Sequence, residues 1–251
     1  MNFQIRIFKD METLSREAAD IFVERAAESI AERGRFLAAL NGGGTPNRLF
    51  QLLAADYREK IDWNRVHVFW GDERCVPPGD AGSSYGQAWD AFLSHVPIPE
   101  SNIYRVRGEL EPAEASRDYS LTLSGFASPP FEFPHFDLVY LGMGEDGHTA
   151  SLFPGSPVEA TAPVIAVTAD YQGRPAGRVT LTPPVLNDSE NTIFLVSGLN
   201  KADAVFNTFY TDDPLRYPAQ RISMSTDPGP LWVLDRGAAS RLDWRGHRLP
   251  G

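Results

Sequence analysis

Apolar residues recur along the chain in two periods. Between residues 11 and 33, Leu14, Ala18, Ile21, Phe22, Ala26 and Ile30 fall at three- and four-residue steps, which predicts one buried helical face ending at Gly34. Short apolar runs follow at Phe36–Leu40, Val66–Trp70, Phe136–Leu141, Val164–Thr168, Ile193–Ser197 and Leu231–Leu234, and they read as buried strands. A short mixed strand precedes them within the first ten residues. Helical stretches at 46–57, 84–95, 112–124 and 200–210 alternate with the runs. That alternation predicts an α/β fold: one open, doubly wound, mostly parallel sheet with helices on both faces, Rossmann-like in outline. Pro-rich breaks at 97–99, 129–134 and 154–157 are short and bring no change of composition, so residues 1–251 are expected to form a single domain.

Charge narrows the partners. The chain carries a net charge of −10 and has no block of Lys and Arg, so neither nucleic acid nor an anionic membrane surface is an expected partner. An anionic ligand would have to be gripped locally. No apolar run reaches the roughly 18 residues of a membrane span, and the first ten residues lack the apolar core of a secretion signal. With a single cysteine, Cys75, no internal disulfide is possible, and a cytoplasmic location is expected. Oligomeric state is left open.

In an open parallel sheet, ligands bind beyond the carboxyl ends of the strands, and three strand endings carry chemistry. The first, Asn41-Gly42-Gly43-Gly44-Thr45-Pro46, runs from a strand through three glycines into a helix, with Thr45 as N-cap candidate and Pro46 in the first turn. Backbone N–H groups of Gly42, Gly43, Gly44 and Thr45 at a helix N-terminus suit a phosphate monoester, although a tight turn would also use glycine. The Gly-Lys-Ser/Thr ending of a nucleotide loop is missing.

The second ending, Gly71-Asp72-Glu73-Arg74-Cys75, presents an arginine that neighbouring carboxylates could fix as an oxyanion-stabilising cation. Cys75 beside it is expected to be packed rather than nucleophilic. The third, Gly142-Met143-Gly144-Glu145-Asp146-Gly147-His148, spells G-x-G-x-x-G. A dinucleotide reading fails because Glu145 and Asp146 would crowd a pyrophosphate and Phe153-Pro154-Gly155-Ser156-Pro157 breaks the helix that should follow. The glycines instead are expected to present His148 as a general base with Asp146 as its orienting partner. Alternatively, His148 caps a following helix. No metal-ligand spacing occurs among His67, His95, His135, His148 and His247, so no metal is expected. Two further basic residues, Arg178 and Lys201, stand near strand and helix starts; a lysine at a helix N-terminus makes sense if an anion lies there.

Together these segments, from Asn41 to Lys201, resemble the 6-phosphogluconolactonase family in order and in detail. The match rests on Asp72–Pro77, Leu141–Gly155, Arg178-x-Thr180-x-Thr182 and Gly198-x-x-Lys201. Two segments depart from the family pattern: Asn41 and Gly44 fall in a segment that usually reads Ser-Gly-Gly-Ser-Thr-Pro, and Ser84 is the middle residue of Ser83-Ser84-Tyr85 where Ser-Asn-Tyr is usual. The resemblance implies cofactor-free hydrolysis of a small sugar-phosphate lactone, 6-phosphogluconolactone, in the pentose phosphate pathway. It implies His148 as base, Arg74 on the carbonyl oxygen, and the Gly42–Thr45 loop with Asp72, Arg178 and Lys201 around the substrate and its phosphate. The alternatives are an amino-sugar-phosphate isomerase or deaminase, or a non-catalytic sugar-phosphate sensor.

Overall fold

The computed structural model describes residues 3–157, 160–222 and 229–242; His247 lies outside the described residues. Strand β1 (Gln4–Phe8) leads into helix α1 (Met11–Arg33). Asp10 starts that helix: its carboxylate accepts from the Thr13 N–H at 2.9 Å while the Thr13 hydroxyl accepts from the Asp10 N–H at 3.3 Å. Two otherwise unpaired donors are satisfied reciprocally. Then follow β2 (Phe36–Leu40), α2 (Gly44–Ala55), β3 (Val66–Trp70), β4 (Asp72–Arg74), α3 (Ser84–Ala91), β5 (Ile103–Tyr104) and α4 (Pro112–Ser124). The remainder is β6 (Leu138–Leu141), β7 (Val164–Thr168), β8 (Gly177–Leu181), α5 (Pro183–Asn187), β9 (Thr192–Val196), α6 (Ala202–Tyr210) and β10 (Leu231–Asp235).

Seven strands form a parallel sheet in the order β1-β10-β9-β6-β2-β3-β5. Its central strands β2, β6 and β9 are buried at every residue, which is why their sequences are continuous apolar runs without alternation. From β2 the chain winds one way to β3 and β5, then crosses back to β6, β9 and β10. The reversal between β2 and β6 opens a crevice at the carboxyl edge of the sheet.

The expectation of one sheet needs correction. Val164–Thr168 does not join the parallel sheet: β7 pairs antiparallel with β8, and β8 pairs antiparallel with β4. Only one face of β7 is covered, so its burial alternates, unlike that of the central strands. Gly71 connects the two sheets, its N–H donating to the Leu40 carbonyl and its own carbonyl accepting from Leu181, each at 2.8 Å. The helix expected over 84–95 stops at Ala91 and gives way to a 3-10 turn at Leu93–His95.

The carboxylate of Asp137, which is 3% exposed, ties β2, β6 and α1 together. It accepts from the Leu37 N–H at 2.6 Å and from two nitrogens of Arg33 at 2.7 and 3.1 Å. Replacing Asp137 by Ala orphans a buried N–H and is expected to lower unfolding free energy by about 1.5–3 kcal/mol. Urea titration should show a lower midpoint at unchanged slope, and a midpoint equal to that of the parent chain would contradict this assignment.

Candidate active site

A cleft of about 390 Å³ opens over the sheet reversal. One wall is the segment that joins β2 to α2. Helix α2 begins at Gly44 with Gly43 as its N-cap, so Thr45 sits inside the first turn and is not the cap. The reason is local: Gly43 adopts φ 128°, open in practice only to glycine, and the chain enters the helix two residues early. Gly42, Gly43, Gly44 and Thr45 all line the cleft at the positive end of α2.

The second wall carries the cations. Strands β4 and β8 pair so that Arg74 lies directly opposite Arg178, and Asp72 opposite Thr180. Both arginines line the cleft and both are buried, Arg178 at 2% exposure. Among the described residues, neither they nor Lys201 form an ion pair with a carboxylate. Nε of Arg74, and Nε and Nη2 of Arg178, have no hydrogen-bond partner among the described residues. Burial pushes the Arg178 guanidinium and the Lys201 ammonium below their usual values; Asp72 opposes this for Arg178, and Glu145 and Asp146 oppose it for Lys201. Lys201 reaches the cleft from the N-cap of α6, behind a 3-10 turn at Leu199–Lys201.

The expectation that a neighbouring carboxylate holds Arg74 is not met. Its Nη1 donates instead to the Gly82 carbonyl at 2.5 Å. Glu73 is taken up elsewhere, accepting from the N–H groups of Arg74, Ser84 and Tyr85 at 2.7, 2.7 and 2.8 Å and from the Ser83 hydroxyl at 3.0 Å. Burial raises its carboxyl above the ordinary range, against those backbone donors. Asp72 accepts from the Ser151 hydroxyl at 2.6 Å, which ties β4 to the turn after His148. Cys75 is half-buried, and burial with the charges of Glu73 and Glu111 pushes its thiol up to about 11, so no thiolate forms near neutral pH.

The third wall is the turn after β6. His148 Nδ1 lies 2.6 Å from Asp146 Oδ1, and the His148 N–H donates to the same oxygen at 3.2 Å. Burial raises the Asp146 carboxyl, but the bonds and charge of His148 outweigh it, leaving the group below its usual value. The pair therefore contributes stability above the ordinary carboxylate range, and this is lost as pH falls through the lowered value. Beside an ionised Asp146, a neutral imidazole donates from Nδ1, the tautomer that leaves the Nε2 lone pair available. The ring is packed by Phe153 at 4.3 Å and Tyr171 at 4.6 Å between centroids. Among the described residues, no helix follows that His148 could cap, and the next named element is β7. Asp146 stands behind the histidine, outside the cleft lining.

Tyr171 and Arg174, which the sequence did not single out, also line the cleft from the hairpin between β7 and β8. No periodicity marks that turn; only Gly173 and Pro175 hint at it. Arg178 packs over Phe153 at 5.2 Å, so one aromatic ring braces both the cation wall and the histidine. No group of His, Cys, Asp and Glu among the described residues is arranged to hold a metal ion, and no helix there is long and apolar enough to cross a membrane.

The protein-family model for glucosamine-6-phosphate isomerases/6-phosphogluconolactonase matches residues 9–232. A 6-phosphogluconolactonase of Mycobacterium tuberculosis is 38% identical over 251 residues, covering 96% of this chain and 99% of the relative. The chain belongs to the 6-phosphogluconolactonase family. Within this family, the solved 6-phosphogluconolactonase of Thermotoga maritima superposes with a TM-score of 0.81 at 27% identity, covering 93% of this chain and 99% of that one. A monomeric glucosamine-6-phosphate deaminase superposes with a TM-score of 0.79 at 22% identity, covering 94% and 99%, so the fold itself is common to both chemistries.

The dyad imposes a strict demand on one glycine. A Cβ on Gly144 would lie 2.1 Å from His148 Nδ1 and 2.5 Å from Asp146 Oδ1. Gly144→Ala is therefore expected to give a folded protein whose histidine and aspartate are forced apart. Turnover should drop by about 10²-fold or more, the scale of losing a placed general base. Unchanged turnover, with an unchanged imidazole signal by NMR, would remove the dyad from the account.

Proposed function

We propose that the protein hydrolyses 6-phospho-D-glucono-1,5-lactone to 6-phospho-D-gluconate by general-base activation of water. The observation that carries this reading is that one cleft is lined both by cations that form no ion pair among the described residues, beside a helix N-terminus, and by a histidine whose Nδ1 lies against a carboxylate. The phosphate dianion would rest on the Gly42–Thr45 loop with Lys201 and Arg178, where backbone donors and helix dipole favour it. Asp72 cannot accept from an unprotonated phosphate; its role is to balance Arg178 and fix Ser151.

Binding at that end places the lactone ring toward Arg74 and His148. Water attacks the carbonyl carbon and gives its proton to His148 Nε2 as the carbon–oxygen bond forms. Negative charge develops on the carbonyl oxygen, where Arg74, fixed by Gly82 and desolvated, stabilises it without reorganising. The intermediate collapses by breaking the bond to the ring oxygen, which takes the proton from the imidazolium and leaves as a hydroxyl. Asp146 keeps the imidazole in the tautomer this requires and stabilises its protonated form. A lactone is an activated ester, so a base and an oxyanion cation supply about 10²–10⁴-fold and 10²–10³-fold, with no covalent step.

Proton release from freshly made lactone, corrected for spontaneous opening, tests the reading. His148→Asn should lose about 10²–10⁴-fold in kcat and keep its affinity for 6-phosphogluconate. In the parent protein kcat/KM should fall with acid at a slope of one proton as the imidazole is protonated. Near-normal kcat in folded His148→Asn, or ammonia release from an amino-sugar phosphate in place of lactone opening, would overturn it.

A further inference from the structure

Asn41 is the residue between β2 and the phosphate loop; it is among the residues that line the cleft and is 4% exposed. Neither Oδ1 nor Nδ2 has a hydrogen-bond partner among the described residues. The side chain is not loose: a Cβ on Gly71 would lie 2.2 Å from its Oδ1, so the carboxamide is packed against the Gly71 backbone at the junction of the two sheets. Leaving both halves of a buried amide unpaired is costly, and a small apolar side chain would fill the space without that cost. The arrangement is explained if a bound ligand supplies the partners.

The chemistry of that partner follows from what an amide can and cannot do. A phosphate without protons accepts only, so it could satisfy Nδ2 but never Oδ1. A hydroxyl both donates and accepts, and so could serve either half. The cations Arg74, Arg178 and Lys201 and the α2 N-terminus already provide for negative charge, whereas Asn41 is neutral. We infer that Asn41 is a specificity-determining substrate-binding residue that reads a ring hydroxyl of the sugar phosphate. Ser is usual here in the family, and its shorter side chain with one hydroxyl would make a different set of contacts. This inference rests on the sugar-phosphate reading of the cleft, but not on the hydrolytic step.

The test compares the parent protein with Asn41→Ala and Asn41→Ser. Each is first checked for folding by thermal melting, then assayed on 6-phosphogluconolactone and on its 2-, 3- and 4-deoxy analogues. Binding of 6-phosphogluconate and of inorganic phosphate is measured by calorimetry. Asn41→Ala should weaken product affinity and raise KM about tenfold, the scale of one buried hydrogen bond, with the loss falling on KM more than on kcat. Asn41→Ser should lose less, and affinity for inorganic phosphate should not change. On the deoxy analogue that lacks the hydroxyl being read, parent and Asn41→Ala should become equal. Unchanged KM and product affinity in Asn41→Ala, or an equal loss on every analogue and on inorganic phosphate, would overturn the inference. If the parent opened no lactone yet Asn41→Ala still lost product affinity and kept phosphate affinity, the hydrolytic reading would fall and the Asn41 assignment would stand.

Discussion

Two arginines face each other across a β-ladder, and the rest of the site is arranged around that fact. Like charges directly opposed on a sheet destabilise it, and here the two are also buried, without carboxylate partners, in a chain whose net charge is −10. Such a chain has carboxylates to spare for neutralising Arg74 and Arg178. It spends them elsewhere: Glu73 holds backbone donors, Asp146 holds His148, and Asp72 holds Ser151 while only opposing the cost at Arg178. Positive potential is thereby kept in one place and unspent, and an anion entering the cleft recovers part of what the bare cations cost.

The fold supplies this arrangement through one junction. Gly71 is bonded to both β2 and β8, so the chain leaves the parallel sheet and at once enters the antiparallel one. The cation ladder is therefore fixed beside the carboxyl end of β2, where the three glycines and α2 begin. Across the strand reversal, the turn after β6 packs His148 and Asp146 against Gly144, and His148 lines the same space. In the proposed reaction, anion binding and proton transfer would share this one crevice, with Phe153 packed against both Arg178 and His148. A ligand anchored at one end by its phosphate is oriented for reaction at the other.

Much of this was legible in the sequence, for physical reasons that differ by element. The strands β2, β6 and β9 are buried at every residue and appear as apolar runs, β3 and β10 nearly so apart from His67 and Asp235, while α1 shows its helical period over 23 residues. The Gly42–Thr45 loop and the Asp146–His148 turn could be read because each is local: the residues that cooperate are adjacent in the chain. What was not legible is non-local or short. A three-residue strand such as β4 shows no period, so the pairing of Arg74 with Arg178 across more than a hundred residues left no mark. The carboxylates next to Arg74 suggested an ion pair that the backbone of Ser84 and Tyr85 claims instead. Tyr171 and Arg174 sit in a hairpin whose residues are ordinary for a turn, and only closure of the second sheet carries them to the cleft.

The claim on which the account turns is that the cleft is completed by a phosphate dianion, whose binding energy is used to orient the reacting ring. The most direct measurement is kcat/KM for 6-phosphogluconolactone and for unphosphorylated gluconolactone, side by side and corrected for spontaneous opening. The account predicts a large loss without the phosphate, shared between KM and kcat, because remote binding energy serves orientation as well as affinity. Comparable efficiency on the two lactones would contradict it.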